Sequence, residues 1–464
     1  MRVHLSILGA LALFSACGGD SNAIGPPNVV LIVIDTLRAD HLSCYGYGLP
    51  TSPSIDRLAA TSDLYTRCRA TGPWTLPSHA SMFTGRFAFQ HRARTELRPD
   101  GLMYELPLSE EHATLAELLG SAGYRTGAFA ANVAYLRQEY QLDQGFGTYE
   151  VEREPAIEKA RDAVKWMEEE GSAPFFLFVN FMDTHRPYNV SPLPGDRAEG
   201  LPAPAESHPG KLLDELCADV MDLALPNPTE RVSAVISQYD TAIAHADVGV
   251  EAIVAHLEAS GQLENTILIV TSDHGEYFGE HGLVEHSKDL YEEAMHVPLI
   301  LKRPGQAEGQ RRDEHVSLAD VPGLVARELP LELAAQARLQ FPLDPARNFT
   351  IAEVSFSRQR DLEASYGQRF LRERKALYSG KFKLIWSSDG QHELYNLDID
   401  PNEARNIIRE KPVVVERLGK RLEQYMKDNA SVIESAAPVT LDAEALKSLQ
   451  GLGYLGDSDD EDGS

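Results

Sequence analysis

The sequence predicts an α/β fold, with helices layered on a large, mostly parallel sheet. Three observations carry that prediction. Residues 29–34 (VVLIVI), 175–182 (FFLFVNFM) and 267–270 (ILIV) are nearly unbroken apolar runs of strand length. Such runs suit strands buried on both faces of a sheet. Helical patterns separate them, so strands and helices alternate. The runs also end in residues able to bind ions or carry protons: Asp35 after the first, Asp183 and His185 after the second, Asp273 and His274 after the third. In parallel sheets ligands bind beyond the carboxyl ends of the strands.

Residues 1–17 read as a secretory signal, with Arg2 as the charged start and residues 5–14 as an apolar core too short to cross a bilayer. Residues 13–18 (LFSACG) resemble a bacterial lipobox. On that reading the chain is cut before Cys17, which is acylated, and residues 18–27 form a tether. An ordinary cleaved signal is the alternative. Residues 53–62 (PSIDRLAATS) predict a helix with Ile55, Leu58 and Ala59 on one face.

Residues 72–86 (GPWTLPSHASMFTGR) read as a loop running into a helix. Pro77 suits the first helical turn, which places Thr75 at the helix N-terminus. Free N–H groups and the helix dipole favour an anion there. His79 lies one turn further on. Taken alone, the stretch also fits a capping threonine and a surface histidine.

Helices follow at 112–122, closed by Gly123, and at 155–170, closed by Gly171. A strand is expected at 124–132. Residues 191–227, rich in Pro and Gly, read as an insertion with a short helix at 211–223, placed to influence substrate choice. Residues 230–259 predict a long helix, with Val232, Val235, Ile236, Tyr239, Ile243 and Ala246 at helical spacing. Tyr239, Asp240 and Asp247 on it are read as structural. A further strand is expected at 297–301. From about residue 347 the pattern changes. Short antiparallel strands are expected at 383–386 and 393–397, then a helix at 412–427 opened by Pro412. Residues 457–464 (DSDDEDGS) are an acidic tail without the apolar content to pack.

The chain has 464 residues, 43% of them apolar, enough for a large core. With 43 basic and 70 acidic side chains the net charge is −27, which argues against nucleic-acid binding but permits a local anion pocket. No other stretch is long and apolar enough to span a membrane, so membrane contact is expected only through the N-terminal anchor. Besides Cys17, only Cys44, Cys68 and Cys217 remain, an odd number that excludes a complete disulfide framework. A Cys44–Cys68 pair and buried free thiols both fit, and the spacing does not suggest zinc.

Five stretches occur in an order that resembles the sulfatase family, within the alkaline phosphatase superfamily. They are 29–45 (VVLIVIDTLRADHLSCY), 75–86, 183–188 (DTHRPY), 272–301 (SDHGEYFGEHGLVEHSKDLYEEAMHVPLIL), and 381–406, which contains KFKLIW and ELYNLDIDPNEARN. The resemblance runs from about residue 28 to about 454. It implies an α/β/α sandwich at 28–345, a small C-terminal α+β subdomain at 346–435 and a tail at 436–464. One departure matters. The family signature is C/S-x-P-x-R, whose Cys or Ser becomes formylglycine. Here Thr75 holds the Cys position and His79 the Arg position. Threonine cannot yield an aldehyde, because its β-carbon carries a methyl. A nucleophilic threonine resembles the superfamily's phosphodiesterases and its phosphoethanolamine or glycerolphosphate transferases.

The resemblance implies one divalent metal ion, Ca, Mg, Mn or Zn, held by Asp35, Thr75, Asp273 and His274. Thr36 replaces the second member of the family's aspartate pair, so one carboxylate is missing. Thr75 is the implied nucleophile, and His79 either orients it or serves as a capping or surface residue. His185 matches a His-x-Pro element that contacts ester oxygens or protonates the leaving group. Lys288 matches a substrate-binding lysine that stabilises charge on the transferring oxygens; an exposed helix lysine is the alternative. His281 and His286 bind substrate, or build a second metal site with Asp183, or lie on the surface. Ala131 and Val133 stand where the family has Lys and His, and Asn132 between them is a donor to an ester oxygen.

The expected protein is a metal-dependent hydrolase anchored by lipid in a bacterial cell envelope, facing the periplasm or the cell surface. It acts on a small-molecule, glycan or lipid ester. It cleaves sulfuric or phosphoric esters through Thr75, with phosphate and phosphonate esters favoured because formylglycine is missing. A transferase passing the group to an alcohol is one alternative. A catalytically inactive binding lipoprotein is another, and the presence of Asp35, Thr75, His185, Asp273, His274 and Lys288 together argues against it.

Overall fold

A computed structural model describes residues 25–97, 103–169, 171, 173–204, 208–222, 229–341, 343, 347–443 and 446–447. Cys17, the expected signal, most of the expected tether and the acidic tail lie outside these residues.

The three apolar runs become neighbours at the centre of an eight-stranded sheet. From one edge to the other its strands are Gln310–Arg312, Asp63–Tyr65, Leu299–Lys302, Thr266–Thr271, Asn28–Ile34, Phe175–Phe181, Arg125–Ala130 and Thr148–Val151. Val29 lies opposite both Phe176 and Ile267 in parallel register. Only the Leu299–Lys302 strand runs antiparallel to its neighbours. Every residue of Thr266–Thr271 and Phe175–Phe181 is buried, as strands covered on both faces require. Because the three central strands are parallel, Asp35, Asp183 and Asp273 all emerge at one edge. The Asp35 N–H donates to the Phe181 carbonyl (2.9 Å), carrying the pairing one residue past the strand.

Helices Pro53–Ala59, Ala156–Glu168 and Thr229–Ala259 pack together on one side. Thr75–Thr84, Leu115–Ser121 and Val321–Glu328 form the other layer of the α/β/α sandwich. Asp247 accepts from the N–H groups of Ser54 (3.0 Å) and Ile55 (2.8 Å), capping a helix whose own N-cap side chain makes no such bond. Tyr239 Oη donates to the Thr36 carbonyl (2.6 Å) and accepts from the Arg38 N–H (2.9 Å). It thereby holds the chain just past Asp35, where Thr36 is left-handed at φ 57°.

The helix expected from residue 112 begins at Leu115, because Thr114 caps it. Its Oγ1 accepts from the Glu117 N–H (3.1 Å), and Glu117 Oε2 accepts from the Thr114 N–H (2.8 Å). The insertion helix is Pro209–Cys217, continued by a π turn at Ala218–Asp222. Cys44, Cys68 and Cys217 are all free thiols, so Cys44 and Cys68 are unpaired.

The two short C-terminal strands pair as expected, as Phe382–Ser387 and Glu393–Asn396, but the sheet has four members. Phe349–Val354 and Arg374–Ser379 complete an antiparallel meander. Leu418 and Leu422 of helix Pro412–Asp428 pack on Ile351, Leu377, Leu384 and Leu394 of that sheet. No helix among the described residues is long and apolar enough to cross a membrane.

Candidate active site

Three side chains from two central strand ends converge. Asp35 Oδ1, Asp273 Oδ2 and His274 Nε2 lie within 4.8 Å of one another. His274 Nε2 is 3.4 Å from Asp273 Oδ2 and 4.0 Å from Asp35 Oδ1. All three residues are fully buried, and none of these atoms has a hydrogen-bond partner. Their other polar atoms are held. Asp35 Oδ2 accepts from Asn132 Nδ2 (2.7 Å), and Asp273 Oδ1 accepts from the N–H groups of Thr36 (3.2 Å) and His274 (3.0 Å). His274 Nδ1 donates to the Gly275 carbonyl (3.0 Å), which leaves the Nε2 lone pair turned to the carboxylates.

Buried polar atoms are seldom left without partners, since each costs about 1–3 kcal/mol. Two carboxylate oxygens and one imidazole nitrogen, aimed at one point and otherwise unsatisfied, fit a divalent cation. Without one, burial and the charge of Asp273 push the Asp35 carboxyl up to about 7. Burial pushes Asp273 up to about 7 as well, and holds His274 below its usual range.

Thr75 is the first residue of its helix and follows Trp74, whose extended backbone enters without a capping side chain. Its Oγ1 accepts from Asn132 Nδ2 (3.3 Å). Asn132 therefore bridges Asp35 and Thr75. Its Oδ1 accepts from the N–H groups of Ala134 (3.0 Å) and Tyr135 (2.9 Å). The whole amide is committed to positioning these groups, where the sequence had placed it against an ester oxygen. His79 is fully buried and is no surface residue. Its Nδ1 donates to the Thr75 carbonyl (2.9 Å) and lies 3.7 Å from Asp273 Oδ2. Burial lowers its pKa to about 3, so it is neutral. Thr36 turns away from the site, its Oγ1 donating to the Thr184 carbonyl (2.5 Å).

Two further histidines stand in a row with His274. The His286 ring is 4.6 Å from His274 and 5.1 Å from His185. His286 Nδ1 meets Glu276 Oε1 (3.0 Å), and His185 Nδ1 donates to the Arg186 carbonyl (2.8 Å). Burial holds both imidazoles well below their usual range. Behind this row Lys288 is buried in a loop and is no exposed helix lysine. Its Nζ is 3.3 Å from Asp361 Oδ1 and 3.6 Å from Glu285 Oε2. Arg186, Arg358 and Arg360 also pair with Glu285, and Arg358 with Asp361. Arg186 also pairs with Asp214 (2.8 Å), so these cations are largely matched by carboxylates.

The second metal site imagined from Asp183, His281 and His286 is not built. Asp183 Oδ2 caps helix Ala156–Glu168 by accepting from the Ala156 N–H (2.9 Å), and its Oδ1 accepts from Asn189 Nδ2 (2.8 Å). His281 stacks on Tyr291 with 3.8 Å between ring centroids and stands 3.3 Å from Glu293 Oε2. Among the described residues His281 groups with Glu293 and Glu403, apart from Asp35. Sequence reasoning missed Glu276, Arg186, Arg358, Arg360 and Asp361. The first two lie inside motif stretches that pointed to them; the rest come from a segment with no signal.

A sulfatase family model matches residues 27–326. Arylsulfatase K of Rattus norvegicus is 25% identical over 455 residues, covering 88% of this chain and 79% of that protein. An arylsulfatase of Clostridium perfringens is 23% identical over 492 residues, covering 87% and 96%. Among solved structures, the phosphonate monoester hydrolase of Agrobacterium radiobacter superposes with a TM-score of 0.64 at 22% identity, covering 87% of this chain and 96% of that one. At that identity the structural likeness shows a shared fold. The family model spans well over half of the sequence, and the chain belongs to the sulfatase family of ester hydrolases.

Proposed function

We propose that the protein hydrolyses phosphate or phosphonate esters in preference to sulfate esters, using Thr75 as nucleophile and a divalent cation held by Asp35, Asp273 and His274. The observation that carries this reading is the placement of Thr75 Oγ1 at a helix N-terminus, held by the same Asn132 amide that holds Asp35. A cation bound there would supply Lewis-acid polarisation and lower the pKa of the Thr75 hydroxyl.

The chain's own residues do the rest. Asn132 donates to Oγ1, so the hydroxyl proton points away from that amide. His79 holds the Thr75 carbonyl and so the first helical turn. The Lys288 ammonium, behind the histidine row, is the cation placed to meet the anionic ester. His185 is neutral when the site is empty, with its proton on Nδ1. An ester anion beside it favours a second proton on Nε2, which could then pass to the leaving alkoxide.

The preference for phosphorus follows from a count of hydroxyls. A formylglycine hydrate carries two on one carbon, so one can attack and the other can expel sulfate by breaking the C–O bond. Thr75 has one. Its ester must be cleared by a second attack at the central atom, which is routine for phosphoryl groups. The test compares kcat/KM on matched aryl phosphonate, aryl phosphodiester and aryl sulfate substrates. A phosphorus preference of at least about 100-fold, roughly 2.7 kcal/mol in the barrier, is expected. A sulfate preference would overturn the reading and leave the cation site standing. The phosphonate monoester hydrolase activity in the name of a structural neighbour is consistent with the choice.

We also propose that Cys17 is acylated and tethers the enzyme to a bacterial envelope membrane. Cys17→Ser should release the protein into the soluble fraction or leave its signal uncut; unchanged membrane association would refute the anchor.

A further inference from the structure

A cavity of about 480 Å³ adjoins the candidate active site. Three of its lining residues, Trp74, Tyr135 and Ser287, lie close in the chain to groups of the site. Trp74 directly precedes Thr75. Tyr135 takes its position from Asn132, whose Oδ1 accepts its N–H (2.9 Å). Ser287 sits between His286 and Lys288. The Trp74 and Tyr135 rings meet edge-on, 5.1 Å between centroids, and Tyr104 and Phe356 extend the aromatic lining. The volume lies in the range of small-molecule sites.

Ser287 supplies an independent sign of a ligand. It is 3% exposed, its backbone is left-handed at φ 65°, and its N–H donates to the Pro73 carbonyl (2.9 Å). Ser287 is among the residues lining the cavity, and its buried Oγ has no hydrogen-bond partner among the described residues. A buried, unsatisfied hydroxyl carries a cost that a bound polar atom would offset.

The last wall comes from far along the chain. Val439 and Leu441 line the cavity, and the Val439 N–H donates to the Glu105 carbonyl (3.0 Å), fixing this C-terminal strap to the strand Met103–Leu106. The charge of the lining also selects. Glu105 contributes a carboxylate, hydrogen-bonded by Tyr140 Oη, and Arg358 is paired with Glu285 and Asp361. Such a wall disfavours additional anionic substituents on the substrate.

We propose that this cavity binds the organic group of the ester and selects an uncharged, aromatic alcohol with a polar atom in reach of Ser287, over a polar or multiply charged sugar. The Val439 strap is a specificity determinant. The assignment rests on the reading of Thr75 as the reacting group, so its test reads binding and not turnover.

Calorimetric titrations use the Thr75→Ala protein in manganese-containing buffer, with phenyl phosphate, glucose 6-phosphate and inorganic phosphate as probes. Phenyl phosphate should bind at least about tenfold more tightly than glucose 6-phosphate. Adding Trp74→Ala or Val439→Asp should erase most of that difference and leave inorganic phosphate within about twofold. Val439→Asp serves if Trp74→Ala fails to fold, since the strap lies outside the sheet core. Equal affinities for the two esters, or parallel losses for all three probes, would overturn the proposal. If selectivity holds in binding while the wild type turns over no phosphorus ester, the Thr75 reading fails and the cavity assignment survives.

Discussion

Thr75→Ala is expected to abolish turnover, a loss on the order of 10⁴-fold or more in kcat, while Thr75→Ser keeps measurable activity. The contrast follows from what surrounds Oγ1. The hydroxyls of Ser78, Ser272 and Thr36 are committed elsewhere. Ser78 Oγ donates to the Gly72 carbonyl (3.0 Å), Ser272 Oγ to the His274 carbonyl (2.7 Å) and Thr36 Oγ1 to the Thr184 carbonyl (2.5 Å). Each is bound to backbone that shapes the site. Serine restores the hydroxyl at the same helix position, with Asn132 still donating to it. It loses only the methyl that narrows the choice of rotamers, so a reduction of roughly 10-fold to 100-fold is expected. The measurements are kcat on an aryl phosphonate, melting curves to show that both variants fold, and mass spectrometry of the acid-quenched wild type for a phosphonyl adduct on the Thr75 peptide. An alanine variant within tenfold of wild type would remove Thr75 from the chemistry.

The parts of this site that were legible in the sequence share one physical cause. A strand buried on both faces must be apolar throughout, so a charged residue at its end stands out. Asp35, Asp273 and His274 are visible for that reason, and the parallel order of three such runs puts them at one edge. Thr75 is visible because Pro77 marks a helix start. What was hidden is charge inside elements. Strand Arg374–Ser379 escaped the pattern because Arg374 is buried in it, paired with Asp289 and Glu393. A periodicity that reads arginine as solvent-facing cannot see a strand stapled to another layer by an ion pair. The cluster holding Lys288 was hidden likewise, since Arg358, Arg360 and Asp361 come from a segment with no local signal. The histidines show the limit of spacing. His281 and His286 are five residues apart, yet left-handed turns at His281, Gly282 and Glu285 send one to the His274 row and the other to stack on Tyr291.

Asp273→Asn should remove bound metal and activity together, and should also make the metal-free variant more stable than metal-free wild type at pH 8. Two buried carboxyls face each other without a cation, and both are raised from 3.8 to about 7. The unfolded chain ionises them near 4, so between about pH 4 and pH 7 the folded, metal-free protein binds more protons than the unfolded one. Its stability therefore falls as pH rises through that window. At roughly 1.4 kcal/mol per pKa unit, the loss is about 4 kcal/mol for each carboxyl by pH 8. Asparagine has no charge to bury. Its Oδ1 can still accept from the N–H groups of Thr36 and His274, and an Nδ2 in place of Oδ2 would stand about where His274 Nε2 can accept, 3.4 Å away in the wild type. The charge that raises Asp35 also disappears. At pH 8 the metal-free variant should thus melt several degrees above metal-free wild type. Added cation should then raise the wild type and leave the variant unmoved. Wild-type affinity for the cation should fall as pH drops below about 7, where protons compete for the two carboxyls. Elemental analysis, melting curves at pH 5.5 and 8 with and without cation, and kcat read the three effects separately. Wild-type metal content in the variant would show that the ligands have been misassigned, and a metal-free variant less stable than metal-free wild type at pH 8 would show that Asp273 is not held there as an uncompensated charge.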